Sequence, residues 1–377
     1  MVLKERIWVN SMIRILQIVT TMNRGGLETM LMNYYRNIDR NQIQFDFLVH
    51  RDCKSDYDQE IKNLGGKIYH MPKLVPWSKN YRKKLKEFFR EHPEYKIVHV
   101  HQDCLSSVAL QCAKECGIPV RIAHSHSSSQ DKNLKYLIKR YYMKKIPKYA
   151  TYLFACSKTA GDWMFDGHRY HIIHNAIDVK KYDYNKETAL EVRRQYHLKD
   201  STIVVGHVGR FNIVKNHDFL IDIFTECLKI NDKCRLLLIG DGEERKKIEQ
   251  KVKELGIQDK VIFTGVRSDV EKLMQAMDVF VFPSLYEGLP VTMVEAQAAG
   301  LPCVISDQVS EECMITKNLV TRISLHVSSK KWASVIFKNS QMGREDHSEE
   351  VRQAGYDINS EARKQQRFYL RCAEKER

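Results

Sequence analysis

No apolar run in the 377 residues reaches the ~18–20 residues that a bilayer-spanning helix needs. The opening Met1-Val-Leu-Lys-Glu-Arg-Ile7 has no secretory apolar core, and the first eleven residues read as an extension ahead of Met12. Ten cysteines occur without one Cys-x-x-Cys pair. Cys112 and Cys116 are four apart on an expected helix with no second ligand pair near them. The cysteines therefore read as reduced core residues of a cytoplasmic protein. The chain also lacks Gly-x-Gly-x-x-Gly with a ribose-binding acid about 20 residues later, which argues against a nicotinamide dehydrogenase. Asp56-Tyr-Asp58 looks like a metal-binding Asp-x-Asp pair. It has no glycine-rich support and sits where a helix begins, so it reads as surface acids.

The length suits two domains, and 43% hydrophobic residues mark a globular chain. The net charge of +14 is lopsided: residues 1–180 hold 30 Lys+Arg against 17 Asp+Glu, residues 181–377 hold 31 against 30. A one-sided basic domain suggests a polyanionic partner, whether membrane surface, nucleic acid or phosphate-bearing acceptor.

The second half is organised around Pro283-Ser-Leu-Tyr-Glu-Gly-Leu-Pro-Val-Thr-Met-Val-Glu295. The apolar run Val279–Phe282 before it reads as a buried parallel strand. Pro290 and Gly300 bracket a helix from about Val291 to Ala299. In an open α/β sheet, ligands bind beyond the carboxyl ends of strands, and a helix N-terminus there favours an anion. Glu287 and Glu295 flank that spot. A carboxylate repels phosphate, so both suit hydroxyls of sugar or ribose beside a diphosphate held by Gly288, Leu289 and the first helical turn. Thr202–Gly209 reads as another strand, and Arg210 and Lys215 follow in its exit loop. Two cations there, facing the Glu287 loop, would neutralise a departing diphosphate. Arg235–Gly242 and Val261–Gly265 read as further strands, the latter followed by Val266 and Arg267, and Cys303–Ser306 as the last.

In the first half, Ile13–Val19 reads as a strand, followed by Gly25-Gly26 and a helix from about Thr29. Paired glycines let backbone approach a ligand; a plain tight turn is the plainer explanation. Further strands are expected at Phe45–His50, Lys67–Met71, Ile97–His101, Val120–His126 and Thr151–Cys156. Residues two apart on a strand share a face, so His124 and His126 could chelate a metal, but no further ligand follows at zinc-like spacing. Residues 131–149 read as a basic amphipathic helix with Leu134, Leu137, Ile138, Tyr141 and Tyr142 on one stripe. It would lie in a membrane interface or pack that stripe inward.

Tyr286-Glu-Gly-Leu-Pro-x3-Glu295, together with Gly209-Arg210-x4-Lys215-Asn216 and Asn175-Ala-Ile-Asp178, resembles the retaining glycosyltransferases of the GT-B fold, family 4. Ala176 stands where that family usually has glycine. The resemblance covers about residues 12–310 well and the tail loosely. It implies two Rossmann-like domains facing across a cleft: residues 12–178 on the acceptor side, 179–345 binding a nucleotide-sugar, and 346–377 returning to the first domain. It further implies that Arg210 and Lys215 bind the diphosphate, that Glu287 holds donor-sugar hydroxyls and that Glu295 holds the ribose. Val266 and Arg267 would lie beside the base, and Gly25 and Gly26 at donor phosphate or acceptor. His124 or His126 would stand near the reacting sugar; strand register leaves both open, and ordinary loop histidines remain the plainer alternative. The implied reaction moves a sugar, from UDP on family frequency, to a lipid-linked saccharide in exopolysaccharide or capsule assembly. No cofactor or metal is implied. The basic half would touch the inner membrane face peripherally. The alternatives are a nucleotide-sugar epimerase of the same fold, and a basic anion- or nucleic-acid-binding protein.

Overall fold

The computed structural model of the chain describes residues 12–127 and 136–375. Two compact units are present: one runs through Ile173 and resumes at Asn359, the other spans His174–Ile358.

The first unit is built on seven strands: β1 (Ile13–Ile18), β2 (Ile43–Val49), β3 (Ile68–His70), β4 (Ile97–Val100), β5 (Val120–Ser125), β6 (Tyr152–Ala155) and β7 (His171–Ile172). They pair in parallel in the order β3-β2-β1-β4-β5-β6-β7. Helices cover a parallel sheet on both faces, so its strands read as continuous buried runs instead of alternating ones. All seven residues of β2 are buried, Asp46 included. That charge is tolerated because Arg14, the Tyr95 hydroxyl at 2.7 Å and the Lys67 amide at 2.6 Å all donate to it.

The second unit repeats the plan with β8 (Val204–Val208), β9 (Arg235–Ile239), β10 (Val261–Phe263), β11 (Val279–Phe282), β12 (Cys303–Ser306) and β13 (Val320–Ile323). Its order, β10-β9-β8-β11-β12-β13, is also wholly parallel. In each sheet the strand order reverses beside the first strand, between β1 and β4 and between β8 and β11. Those carboxyl ends are the switch points where open α/β sheets take ligands. β13 was not expected: four residues without an apolar run leave little signal.

The units divide at 173/174 and 358/359, five residues before the expected 178/179 and thirteen after the expected 345/346. Asn175 donates to the Leu289 carbonyl at 2.9 Å, and the Ile177 amide to the Tyr356 carbonyl at 2.9 Å, so residues from His174 belong to the second unit. Val351 and Tyr356 are buried in that unit's core. The helix Ile358–Lys375 then supplies the first sheet: Tyr369 meets Phe45 edge-on at 5.9 Å, and Phe368 meets Phe154 at 5.0 Å.

The expected basic helix is shorter than 131–149. Asp131 and Leu134 lie outside the described residues. A helix spans Tyr136–Met143, and a separate turn spans Ile146–Tyr149 with Pro147 in its first positions. A proline there starts a helix rather than continuing one. Most of the apolar stripe does not pack inward. Leu137 is 76% exposed, Tyr141 57% and Ile138 39%, while Met143 is buried and Tyr142 donates to the Pro76 carbonyl at 3.1 Å.

Candidate active site

Two polar clusters lie at the two switch points. In the second unit, β8 leads through Gly209 and Arg210 into a short turn, Ile213–Lys215. The Asn212 side chain caps that turn by accepting from the Lys215 amide at 3.0 Å. The turn is tied to the loop after β11: the Leu285 amide donates to the Val214 carbonyl at 2.8 Å, and Asn216 to the Pro283 carbonyl at 3.1 Å. These ties bring Lys215 Nζ to 2.7 Å from Glu287 Oε1. The ammonium also lies 4.3 Å from the centroid of the Phe282 ring. Only 15% of the Lys215 side chain and 20% of the Glu287 side chain are exposed. A Cβ on Gly209 would come within 3.3 Å of the Lys215 stem and 3.0 Å of His207 Nε2, so glycine lets the lysine lie across the strand end. Below it His207 and His217 are buried, and burial pushes their pKa values down to about 4 and about 2. Both are neutral, which leaves Lys215 as the cation of this cluster.

Glu287 is pinned by its backbone carbonyl, which accepts from the Ser310 amide at 3.0 Å. The helix Val291–Ala298 follows, with Pro290 as its N-cap and no side chain capping it. Leu289 is buried, and Gly288 half-buried beside it. Glu295 is the fifth helical residue and only 7% exposed; the Tyr182 hydroxyl donates to its Oε1 at 2.7 Å. Burial raises its pKa to about 7 against that bond.

Two expected members stand apart. Arg210 does not join Lys215 at Glu287. Its side chain is 70% exposed and donates to Glu243 Oε2 from Nε at 3.2 Å and Nη2 at 3.0 Å. An acid one loop away, on the exit from β9, draws the longer side chain outward. Arg267 donates to Asp269 through Nε and Nη2 at 2.9 and 2.8 Å, and Val266 is exposed. Both follow the edge strand β10, two strands from β8.

In the first unit, Gly25 is the N-cap of the helix Gly26–Asn37 in extended conformation. A Cβ on Gly26 would meet no atom within 4 Å, and its φ is not in the left-handed region. The fold itself does not require glycine there. Asp56 and Asp58 accept from the Arg24 and Ser55 amides at 2.9 and 2.8 Å, the surface role expected of them.

His124 and His126 differ. His124 is fully buried in β5, and its Nδ1 lies 3.2 Å from His99 Nε2. His126 follows the strand, is partly open, and places Nε2 2.8 Å from His101 Nδ1. Linear spacing missed His99 and His101 because they come from the neighbouring strand β4. The signal was present as a second His-x-His, at 99–101. Missed too was Tyr182, whose bond to Glu295 spans 113 residues.

Two parallel sheets in one strand order, each with polar chemistry at its switch point, define the GT-B class of architecture. Residues 24–181 match the family described as Glycosyltransferase Family 4, and residues 189–343 the one described as Glycosyl transferases group 1. The chain is 36% identical over 360 residues to a putative glycosyltransferase, EpsF of Bacillus subtilis, covering 91% of this chain and 93% of the relative. The chain belongs to this glycosyltransferase family. It is also 25% identical, over 59% of its length and 60% of the relative's, to the UDP-Gal:alpha-D-GlcNAc-diphosphoundecaprenol alpha-1,3-galactosyltransferase of Escherichia coli. Among solved structures, HepE of Anabaena in complex with UDP superposes with a TM-score of 0.77 at 18% identity, covering 95% of this chain and all of that one.

Proposed function

We propose that the protein transfers a sugar, with retention, from a UDP-sugar to a lipid-linked saccharide in exopolysaccharide or capsule assembly. The Lys215–Glu287 pair carries this reading. A cation and a carboxylate in contact, both mostly shielded from water, are matched to a ligand that offers phosphate next to hydroxyls. Such a ligand replaces the pair atom for atom: phosphate oxygen takes the ammonium, and sugar hydroxyls take the carboxylate. The first-turn amides after Leu289 assist the diphosphate, with Gly288 giving backbone access. Arg210 joins it by leaving Glu243, an exposed pair of small energetic weight. Glu295 receives the ribose hydroxyls beside Tyr182, and Val266 and Arg267 flank the base. Gly26, which the fold does not need, gives room for substrate next to Gly25, and His126 stands at the reacting sugar.

Chemistry then follows from charge. The anomeric carbon–oxygen bond to the diphosphate breaks as the acceptor hydroxyl approaches from the same side. The acceptor proton passes to the departing phosphate oxygen, and Lys215 and the helix N-terminus hold the developing charge. No divalent ion is needed where these groups supply the positive field. UDP as the nucleotide is supported by the HepE complex and by the name of the galactosyltransferase relative, and that name also supports a polyprenol-diphosphate acceptor.

Membrane contact is supported by the first unit. Leu137, Ile138 and Tyr141 are exposed among Lys139, Arg140, Lys144 and Lys145, and the exposed Trp77 follows Pro76, which accepts from Tyr142. Aromatic and apolar side chains ringed by cations fit an anionic lipid interface. No described helix is long and apolar enough to cross a membrane.

Thermal shifts with UDP, GDP, ADP and NAD, on wild type and Lys215→Ala, test the donor. A shift with UDP that the variant loses is expected; a shift with NAD alone, or with none of the four, would sink the reading. Sedimentation with anionic vesicles at low salt tests the acceptor side. Protein left in the supernatant would remove the membrane from the proposal. Free nucleotide-sugar product formed without any acceptor would point to an epimerase instead.

A further inference from the structure

The two His-x-His segments lie on adjacent parallel strands and pack four imidazoles together. Ring centroids are 4.2 Å apart for His99–His101, 5.2 Å for His101–His124 and 4.0 Å for His124–His126. His99, His101 and His124 offer nitrogens within 4.8 Å of one another, a spacing compatible with a metal. Charge argues against one. No carboxylate hydrogen-bonds to any of the four rings among the described residues, and a buried divalent charge without an anion is strongly disfavoured. The nitrogens are instead engaged in two hydrogen-bonded chains.

One chain starts on the C-terminal helix. Gln365 Nε2 donates to the Tyr369 hydroxyl at 3.2 Å, which lies 2.7 Å from His99 Nδ1; His99 Nε2 in turn lies 3.2 Å from His124 Nδ1. It stops at His124 Nε2, which is buried with no hydrogen-bond partner among the described residues. The other chain starts on β1. Gln17 Oε1 is 2.9 Å from His101 Nε2, and His101 Nδ1 is 2.8 Å from His126 Nε2. Gln17 is fully buried, as is His101 but for 4% of its surface, and this chain ends on the partly open ring of His126.

Burial keeps these rings neutral, pushing the pKa of His126 down to about 3 and those of the other three well below the ordinary value. A neutral imidazole has one N–H and one lone pair, so the group bonded to one nitrogen decides the state of the other. Gln17 Oε1 only accepts, which puts the His101 proton on Nε2 and makes Nδ1 the acceptor. His126 must then donate from Nε2.

We propose that Gln17 and His101 are positioning residues that fix the tautomer of His126, holding its proton on Nε2 and presenting Nδ1 as the acceptor for a saccharide hydroxyl. The tautomer assignment stands on the chain of contacts alone; the saccharide hydroxyl rests on the proposed place of His126 at the reacting sugar.

The test is imidazole nitrogen NMR of the full chain labelled at histidine, with His126→Ala to assign the signals. Wild type is expected to show His126 protonated at Nε2 only. Gln17→Leu is expected to give a mixture of tautomers and to lower kcat about tenfold or more with donor KM little changed, the signature of lost orientation. Gln17→Glu, which keeps an oxygen toward His101, is expected to preserve the Nε2–H form. A wild-type His126 protonated at Nδ1 would overturn the proposal, and that spectrum needs no variant to fold. An unaltered tautomer in folded Gln17→Leu, or one tightly bound metal ion per tag-free chain, would also overturn it. Full transferase activity in His126→Ala would overturn the role toward the saccharide hydroxyl, while the tautomer coupling is decided separately by wild type against Gln17→Leu.

Discussion

The two sheets share a strand order and place polar side chains at the same topological point, yet with opposite electrostatics. Next to β1, along β4 and β5, four imidazoles are neutral and bonded to neutral partners. At β8/β11 a full positive and a full negative charge touch. Exposure separates the two. His99 and His124 have no exposed surface, and a charge there would lack both water and counter-ion, so only neutral forms persist. Lys215 and Glu287 have each other as counter-ion, with 15% and 20% of their side chains still exposed and the rest shielded from water. Glu295 lies between these cases: nearly buried, with one hydroxyl partner, it titrates near neutrality. The neutral cluster is suited to hold geometry, and the charged one to exchange its partners for a ligand.

The hardest break is Lys215→Ala. It is expected to lower kcat about 10²–10³-fold, the usual loss when one charge-stabilising donor is removed, and to abolish the UDP thermal shift. Gln17→Leu should leave the UDP shift in place. If both variants lose it, the division between a geometric and an electrostatic cluster fails.

Glu295→Gln sharpens the intermediate case. Between about pH 4.5 and 7 the folded acid keeps a proton that the unfolded chain has given up, so this group makes stability fall as pH rises through that window. The fall amounts to about 3 kcal/mol at most, from about 1.4 kcal/mol for each pH unit. The glutamine variant should therefore gain stability over wild type at pH 8, by thermal melts at pH 5 and pH 8, while its UDP affinity drops. Equal pH dependence in the two proteins would mean that Glu295 is not held in its protonated form.

Gly26→Ala should leave the melting temperature unchanged or slightly higher, because the added methyl meets nothing and glycine entropy is removed. Activity should nevertheless fall about tenfold, roughly 1.4 kcal/mol, if backbone there meets substrate. A fully active variant would leave Gly26 without a role. The smallest expected change is in Arg210→Ala, within about 0.5 kcal/mol of wild-type stability because its pair with Glu243 is exposed. Its loss of UDP affinity should be below that of Lys215→Ala; no loss at all would mean that Arg210 stays with Glu243 when ligand binds.

Much of this was legible beforehand for physical reasons. Strands buried on both faces must be continuous apolar runs, so β1, β8 and β11 announced themselves, and with them the loops that carry Gly26, Lys215 and Glu287. β13, Val-Thr-Arg-Ile at the sheet edge, has no continuous apolar run and went unread. Spacing says that two cations leave one strand end but not that Glu243, beyond the next strand, holds Arg210 away from Lys215.

The sequence alone determined the repeated strand–loop–helix plan, the family and the Glu287-x7-Glu295 pattern, because these depend on local periodicity and short spacings. Only the tertiary structure decided which of those groups meet. Parallel pairing sets β4 beside β5 and turns two separate His-x-His segments into one array. Folding brings Tyr182 to Glu295, and Tyr369 to His99 across 270 residues. Burial then fixes protonation, since an imidazole or carboxylate that can take up charge in water is held neutral where water and counter-ions are excluded.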